Sequence, residues 1–208
     1  MSIVLLGSTS GSCTLQEQAV AGTTVLTLPT TSGTVLTSAS SITRSQLPTG
    51  SVLQVVSTLK TDTFSTSSGT YVAITGLSAT ITPSSSSNRI LVQFSVNYGG
   101  DLEVWPGYKV SRDGGSTFLA VGDAAGSRDR ITFGDGFTAG ANANYEMRIG
   151  AFTFLDSPAT TSALTYQVYT VGRPGTGSSY VNRGGFDFND SISGKRGASS
   201  ITVMEIAA

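Results

Sequence analysis

Two pairs of carboxylates stand close together in the chain: Asp101 with Glu103 in GGDLEVW, and Asp187 with Asp190 in GGFDFNDS. Acids two or three positions apart on a loop can meet, and a pair about 5–10 Å apart is what glycoside hydrolysis requires. Other catalytic arrangements are closed off. The sequence has no histidine, which removes the commonest general base, the usual metal ligand and the group that activates serine or cysteine nucleophiles. Ordinary surface carboxylates are the simpler reading of both pairs, and no catalytic residue is expected. Asp-Gly occurs in RDGGS (112–116) and FGDGF (133–137), without the alternating acids and closing Glu of a calcium loop. Asp113-Gly114 and Asp135-Gly136 therefore read as hairpin turns, where Asp and Gly accept positive φ. Neither a metal nor a cofactor is expected. Cys13 stands alone, which excludes an internal disulfide framework, fits synthesis in a reducing cytosol and reads as a small strand residue.

The aromatic residues carry more information. Trp105 and Tyr108 in EVWPGYKV, Tyr180 near Arg183, and Phe186 and Phe188 in NRGGFDFND lie in or beside Gly-rich stretches, outside regular alternation. Planar rings beside Asn, Asp and Arg suit a sugar-binding loop: C–H faces of the sugar stack on the ring while polar groups fix its hydroxyls. The same rings could equally cap the ends of a sandwich or pack across a subunit contact. As contact residues for an external receptor, the sequence offers Trp105, Tyr108, Tyr180, Arg183, Phe186 and Asp187.

Something must hold those loops, and composition says what. Only 12% of residues are charged, with 12 Lys and Arg against 13 Asp and Glu, so no basic field exists for nucleic acid or anionic lipid. Ser and Thr number 60 and Gly 25 of 208 residues, a composition of strands, turns and hydroxyl-lined surfaces rather than helices. The opening MSIVLLG lacks the basic flank and apolar length of an export signal, and no membrane span is expected.

The chain changes character at Pro48–Gly50. Before it lie short apolar pieces, Ile3–Leu6, Thr14–Val20, Thr23–Leu28 and Val35–Thr37, bounded by Gly, Pro and Ser. Pieces this short cannot build a core alone, so their partners are expected from other copies of the chain or from a particle to which it docks. After the boundary the apolar segments are denser: Val52–Val56, Tyr71–Ile74, Ala79–Thr82, Arg89–Tyr98, Val104–Val110, Thr117–Val121, Arg130–Phe133, Tyr145–Leu155, Leu164–Val171, Ser179–Asn182 and Ser200–Ile206. Roughly ten strands at this spacing predict an all-β fold: an N-terminal β segment at 1–47, then an antiparallel, jelly-roll-like β-sandwich at 48–208.

Faces can be assigned in three strands. Ile90, Val92, Phe94, Val96 and Tyr98 alternate with mostly polar neighbours and belong to a buried face. Tyr145, Met147, Ile149, Ala151, Thr153 and Leu155 share one face, and Phe152 and Phe154 end the other, which predicts cover on both sides at the far end of that strand. In the last strand Ile201, Val203 and Glu205 oppose Thr202, Met204 and Ile206, one face being core and the other an interface. GDAAGSRDR (122–130) reads as a loop.

AGTTVLTLPTTSGTVLT resembles the repeat-like N-terminal segment of tail-fibre and other virion structural proteins of tailed phages, notably those of marine and cyanobacterial hosts. LPTGSVLQVVSTLKTDTFST, GLSATITPSSSSNRILV, GDAAGSRDR, FLDSPATTSALTYQV, YVNRGG and SSITVMEIAA resemble a C-terminal module recurrent in the same proteins. The resemblance implies a non-enzymatic homotrimeric fibre exposed on the virion. Its N-terminal segment would dock to other virion proteins and its β domain would meet a host-surface glycan or other receptor. A decoration or adaptor protein of capsid or tail, and a glycan-degrading spike, are the alternatives.

Overall fold

The computed structural model describes residues 3–6, 12–15, 30, 32, 41–137, 143–189, 192 and 194–208. The chain divides into two units, Met1–Ile42 and Thr43–Ala208. In the first, β1 (Ile3–Leu6) and β2 (Ser12–Leu15) form an antiparallel pair, with Ile3 opposite Leu15 and Leu6 opposite Ser12. The pieces expected at Thr23–Leu28 and Val35–Thr37, and residues 16–20, lie outside the described residues.

The second unit is all-β. Its strands are β3 (Val52–Lys60), β4 (Phe64–Thr66), β5 (Val72–Ile81), β6 (Arg89–Gly100), β7 (Gly107–Ser111), β8 (Phe133–Gly134), β9 (Arg148–Asp156), β10 (Leu164–Thr170), β11 (Ser179–Val181) and β12 (Ser199–Ile206). Only two short 3₁₀ turns, Arg44–Gln46 and Ala143–Tyr145, interrupt strand and loop among the described residues.

β6 is the spine of one sheet. β9 runs along one of its edges, from Asp156 opposite Ile90 to Arg148 opposite Tyr98. Along the other edge β12 and β11 lie end to end, and β3 and β4 lie end to end outside them. The second sheet has the order β5-β10-β7-β8. If the eight main strands are numbered along the chain, leaving out the short β4 and β11, the sheets read first-eighth-third-sixth and second-seventh-fourth-fifth. That interleaving is a jelly roll, two antiparallel Greek keys folded face to face.

Alternation in β6 places Ile90, Val92, Phe94, Val96 and Tyr98 in the core, none more than 5% exposed. They meet Ile74, Leu77, Ala79 and Ile81 of β5, Tyr108 and Val110 of β7, Tyr166 and Val168 of β10, and Ile201 and Val203 of β12. The two short strands expected at Tyr71–Ile74 and Ala79–Thr82 are one strand, β5, with a bulge at Gly76, whose φ is +78°. The Gln167 side-chain amide stitches the bulge, donating to the carbonyls of Ile74 at 2.7 Å and Leu77 at 3.0 Å. Thr117–Val121 forms no strand, and Leu119 alone bridges to Val110. The segment 122–130 is a loop.

Charge ties the sheets together. Arg112, just beyond β7, donates from one guanidinium nitrogen to both oxygens of Asp156 on β9 at 2.7 Å, and the Tyr166 hydroxyl on β10 adds a 2.6 Å bond to the same carboxylate. At the same end, across Ile90 of β6 from Asp156, Glu205 follows Ile201 and Val203 on the inner face of β12 and is 0% exposed. The expected cover over the far end of β9 is not complete among the described residues. Phe154 packs inward against the core, but Leu155 is 44% and Phe152 37% exposed.

Candidate functional site

β6 ends in Gly99–Gly100, and the loops that carry the candidate residues converge there because nothing larger than hydrogen fits. A Cβ on Gly99 would lie 2.5 Å from the Arg183 carbonyl oxygen, and one on Gly100 would lie 2.6 Å from the Phe137 ring. Asp101 comes next and is fully engaged: it accepts from the Ser178 amide at 2.8 Å and from the Tyr180 hydroxyl at 2.9 and 3.0 Å. It clasps the chain after β6 to β11 and the residue before it. Asp190 of the second acidic pair lies outside the described residues.

Beyond the clasp the backbone turns at Glu103, φ +62°, and its amide donates to the Phe137 carbonyl at 2.7 Å. That turn lifts Trp105 out of the sandwich, 54% exposed. The Arg173 guanidinium lies 4.8 Å from the centre of the indole and is held by a 2.8 Å bond to the Glu103 carbonyl. Gly136 is packed against the Cδ1–Nε1 edge of the indole, so close that a Cβ there would displace the ring. Pro106, Ile131, Gly134 and Asp135 complete a hollow of about 340 Å³ beside the ring.

The other four candidates are Tyr180, on β11, and Arg183, Phe186 and Asp187, in the loop that follows it. Asn182, at φ +62° and fully buried, ends β11 and hands the chain to an excursion that returns at Gly197, whose amide bonds the Asn182 carbonyl at 3.0 Å. Arg183 bridges Arg196 at the base of the excursion. The Arg183 guanidinium lies 3.8 Å over the Tyr180 ring. Asp187 pairs with Arg196 at 2.6 Å and with Arg183 at 3.9 Å. Phe186, 40% exposed, is pinned by its amide to the Asn144 carbonyl at 2.9 Å. Phe186, Phe188 and Tyr145 form an exposed aromatic cluster, with centroid separations of 4.9 Å for Tyr145–Phe186 and 5.5 Å for Phe186–Phe188.

Two placements correct the sequence reading. Tyr108 is 0% exposed, stacked on Phe133 at 5.2 Å and 3.2 Å from the Ser179 hydroxyl, so it is a core residue that an external partner cannot touch. Tyr180 is 9% exposed with its hydroxyl given to Asp101, and serves as a base for Arg183. Burial, then the Asp101 carboxylate, raises the Tyr180 pKa, so the phenol stays a neutral donor. Tyr145 and Arg173 were missed. Tyr145 reads as the first residue of a strand that in fact begins at Arg148, and Arg173 carries no local signal of its stacking partner.

Of the two hairpin turns expected, only Asp113-Gly114 is a turn. Asp135-Gly136 instead continues the run from β8 to Phe137, which bridges Val104, with no turn and no positive φ at Gly136. Asp113 accepts from the Ser111 hydroxyl at 2.6 Å and the Thr117 amide at 2.9 Å, bonds that pull its pKa down to about 2. Gly114 and Gly115 follow at φ +74° and +91°. Asp135 is paired with Arg148. Both acids are thus occupied as turn and ion-pair groups.

No family model and no curated protein matches the chain. Among solved structures it is similar to the VP2 subviral particle protein of infectious bursal disease virus, at 14% identity and TM-score 0.37 over 74% of this chain and 38% of that one. T=1 particles derived from the same virus give 16% identity and TM-score 0.37, covering 74% and 36%. The Gt strain protein gives 14% identity and TM-score 0.38, covering 74% and 38%. The chain thus spans less than two-fifths of the length of these structures.

Proposed function

We propose that this chain is a non-enzymatic structural protein of a virion, a homotrimeric fibre that meets a host-surface glycan through the loop end of its β-sandwich. The observation that carries the glycan reading is Trp105: a large ring more than half exposed, fixed between Arg173 and Gly136 and opening on a hollow. An aromatic side chain held in that way costs little entropy on stacking against a sugar. Phe186, Tyr145 and Phe188 add a second exposed platform on a loop anchored to the same end of β6. Recognition on loops held by a rigid sandwich follows the common division of labour.

Self-association is supported by the outer face of the β6 sheet. Its outward positions run across the strands as Val55–Met204–Leu91–Leu155 and Ser57–Thr202–Gln93–Thr153. These rows hold no charge, and Val55 is 55%, Leu59 68% and Ile149 67% exposed. This is the face opposite Ile201, Val203 and Glu205, which suits the expected interface. Docking to the particle through residues 1–47, and exposure on the virion, rest on the sequence resemblance to phage fibre proteins.

The reading is tested by presenting the purified chain, wild type and Trp105→Ala/Phe186→Ala, to host cells and to an array of surface glycans. Wild type should bind saturably and the double variant should not, with both sedimenting as trimers of equal thermal midpoint. Unchanged binding by the double variant would remove the loops from recognition and favour a capsid-decorating or tail-adaptor role. Release of reducing ends from a bound polysaccharide would favour a glycan-degrading spike.

A further inference from the structure

We propose that the glycan is acidic: a saccharide chain whose carboxylate or sulfate group enters a second, basic hollow adjoining the Trp105 site. The proposal rests on the reading of Trp105 as a sugar contact and extends it to the ligand's chemistry. Asp129 forms a wall of the hollow beside Trp105 and also of its neighbour, a depression of about 450 Å³ lined by Lys109, Thr117, Phe118, Arg128 and Arg130. Consecutive sugars of one chain can therefore occupy both.

The charges in the second hollow are unequally balanced. Lys109 is 7% exposed; its ammonium pairs with Asp129 at 2.6 Å and sits 3.7 Å from the Tyr71 ring centre and 5.1 Å from that of Phe118. The Tyr71 hydroxyl also donates to Asp129. The one carboxylate in the hollow is thus neutralised by groups behind it. Arg128 and Arg130 are left in front. Arg130 gives its Nε to the Gly122 carbonyl at 2.6 Å, which fixes the stem and frees the terminal nitrogens. No acid pairs with either arginine among the described residues, which is true of Arg44, Arg89 and Arg173 as well; what distinguishes Arg128 and Arg130 is that both line one hollow.

Two planar, acid-free guanidinium groups at the mouth of a hollow are built for a carboxylate or sulfate, which each can hold through paired N–H donors. The Trp105 hollow has a different character: an indole face with Pro106, Ile131 and Gly134 around it, and with the carboxylates of Asp129 and Asp135 in its wall, suits the C–H face and hydroxyls of a neutral ring and not an acidic group. A ligand with both features, stacking faces and regularly placed acidic groups, is an acidic oligosaccharide. The same arginines argue less well for nucleic acid, since the chain as a whole carries a net charge of −1 and offers no basic track along which a phosphate backbone could run.

The test uses the full chain in calorimetric titrations with four tetramers, of galactose, sulfated galactose, galacturonic acid and a mixed-sequence single-stranded DNA. At least one of the two acidic sugars should bind about tenfold or more tightly than the galactose tetramer. Arg128→Gln/Arg130→Gln should bring that sugar down to the level of the neutral one, and Trp105→Ala should weaken every sugar. Both arginines are exposed, so the double variant should keep the wild-type thermal midpoint, which shows it is folded. Neutral and acidic tetramers bound equally, in a Trp105-dependent way, would overturn the acidic ligand while leaving the sugar site standing. Failure of all three sugars would overturn both. DNA bound as tightly as the acidic sugar would reduce the hollow to a non-specific anion site and overturn the proposal.

Discussion

Glu205→Gln is the sharpest probe of how the domain is held. Four donors converge on the Glu205 carboxylate: Gln54 Nε2 at 2.6 Å on one oxygen, and the Ser84 amide at 2.6 Å, Ser84 Oγ at 2.7 Å and Asn88 Nδ2 at 2.7 Å on the other. None of these partners carries a charge, so donor number is what retains the anion in the core. Burial pushes its pKa up, and the bonds from Asn88, Ser84 and Gln54 outweigh that and hold it below the ordinary 4.5. A glutamine amide puts N–H against a donor. Gln54 cannot invert its own amide to suit, because the same Nε2 also donates to the Thr82 carbonyl at 2.7 Å. One charge-assisted bond is lost and one donor is left unpaired, a cost of about 2–3 kcal/mol. With a urea slope of about 2–3 kcal/mol per M, the unfolding midpoint at pH 7 should fall by about 1 M. The sign of the pH dependence follows from the depressed pKa: the stabilisation is fully present above 4.5 and is lost as pH falls through the lower folded-state value. The gap between wild type and variant should therefore narrow below pH 4.5. A variant as stable as wild type at pH 7, or a gap that stays constant down to pH 3, would refute the reasoning.

Two further substitutions test the joints. Asn182→Ala removes side-chain bonds to the carbonyls of Lys60 at 2.9 Å and Asp62 at 2.8 Å and to Ser199 Oγ at 2.6 Å, and leaves an alanine at φ +62°. The cost should be about 3–4 kcal/mol, or roughly 10 °C of thermal midpoint, with Asn182→Gly less damaging because it relieves the backbone. Asp156→Asn leaves the Arg112 guanidinium without its carboxylate and weakens the Tyr166 bond; it should lower stability in chemical denaturation by about 2–4 kcal/mol.

The fold class was legible because period-2 alternation survives in the long strands: β6 reads from Ile90 to Tyr98 as it is buried. The sequence fails where a non-local partner decides. On β12 it pairs Glu205 with Ile201 and Val203 but cannot say that the face bearing an acid is the core. The donors that make this tolerable come from positions 54, 84 and 88, far along the chain. Tyr108 misleads for another reason. The preceding Trp-Pro-Gly suggests a loop, while two-residue spacing to Val110 already places it on an inner face, and that second signal is the one the structure follows. Tyr145 and Arg173 acquire their roles from neighbours folded onto them, the Phe186 loop and the Trp105 ring, and no spacing along the chain encodes either contact.

The loop that carries Phe186 shows how the sandwich turns strand order into a binding surface. In sequence Ser179–Asn182 and Ser200–Ile206 look like two strands joined by a long connection. In space they are one edge of the same ladder: Val181 faces Tyr98, the Asn182 amide bonds the Asn97 carbonyl at 2.8 Å, and Ser200 faces Ser95. Asn182 and Ser199, 17 positions apart, therefore stand side by side and are bonded at 2.6 Å. A loop whose two ends occupy neighbouring rungs of one strand has almost no freedom to hinge about its base, unlike a loop that spans two strands. The left-handed turn at Asn182 makes the departure and the buried amide pays its polar cost by bonding both carbonyls where β3 gives way to β4. Residues at the excursion can then differ widely without disturbing the ladder, since the rungs on either side close on each other whether or not the loop is there. It follows that replacing the excursion by a short turn should leave the sandwich folded while removing the aromatic platform.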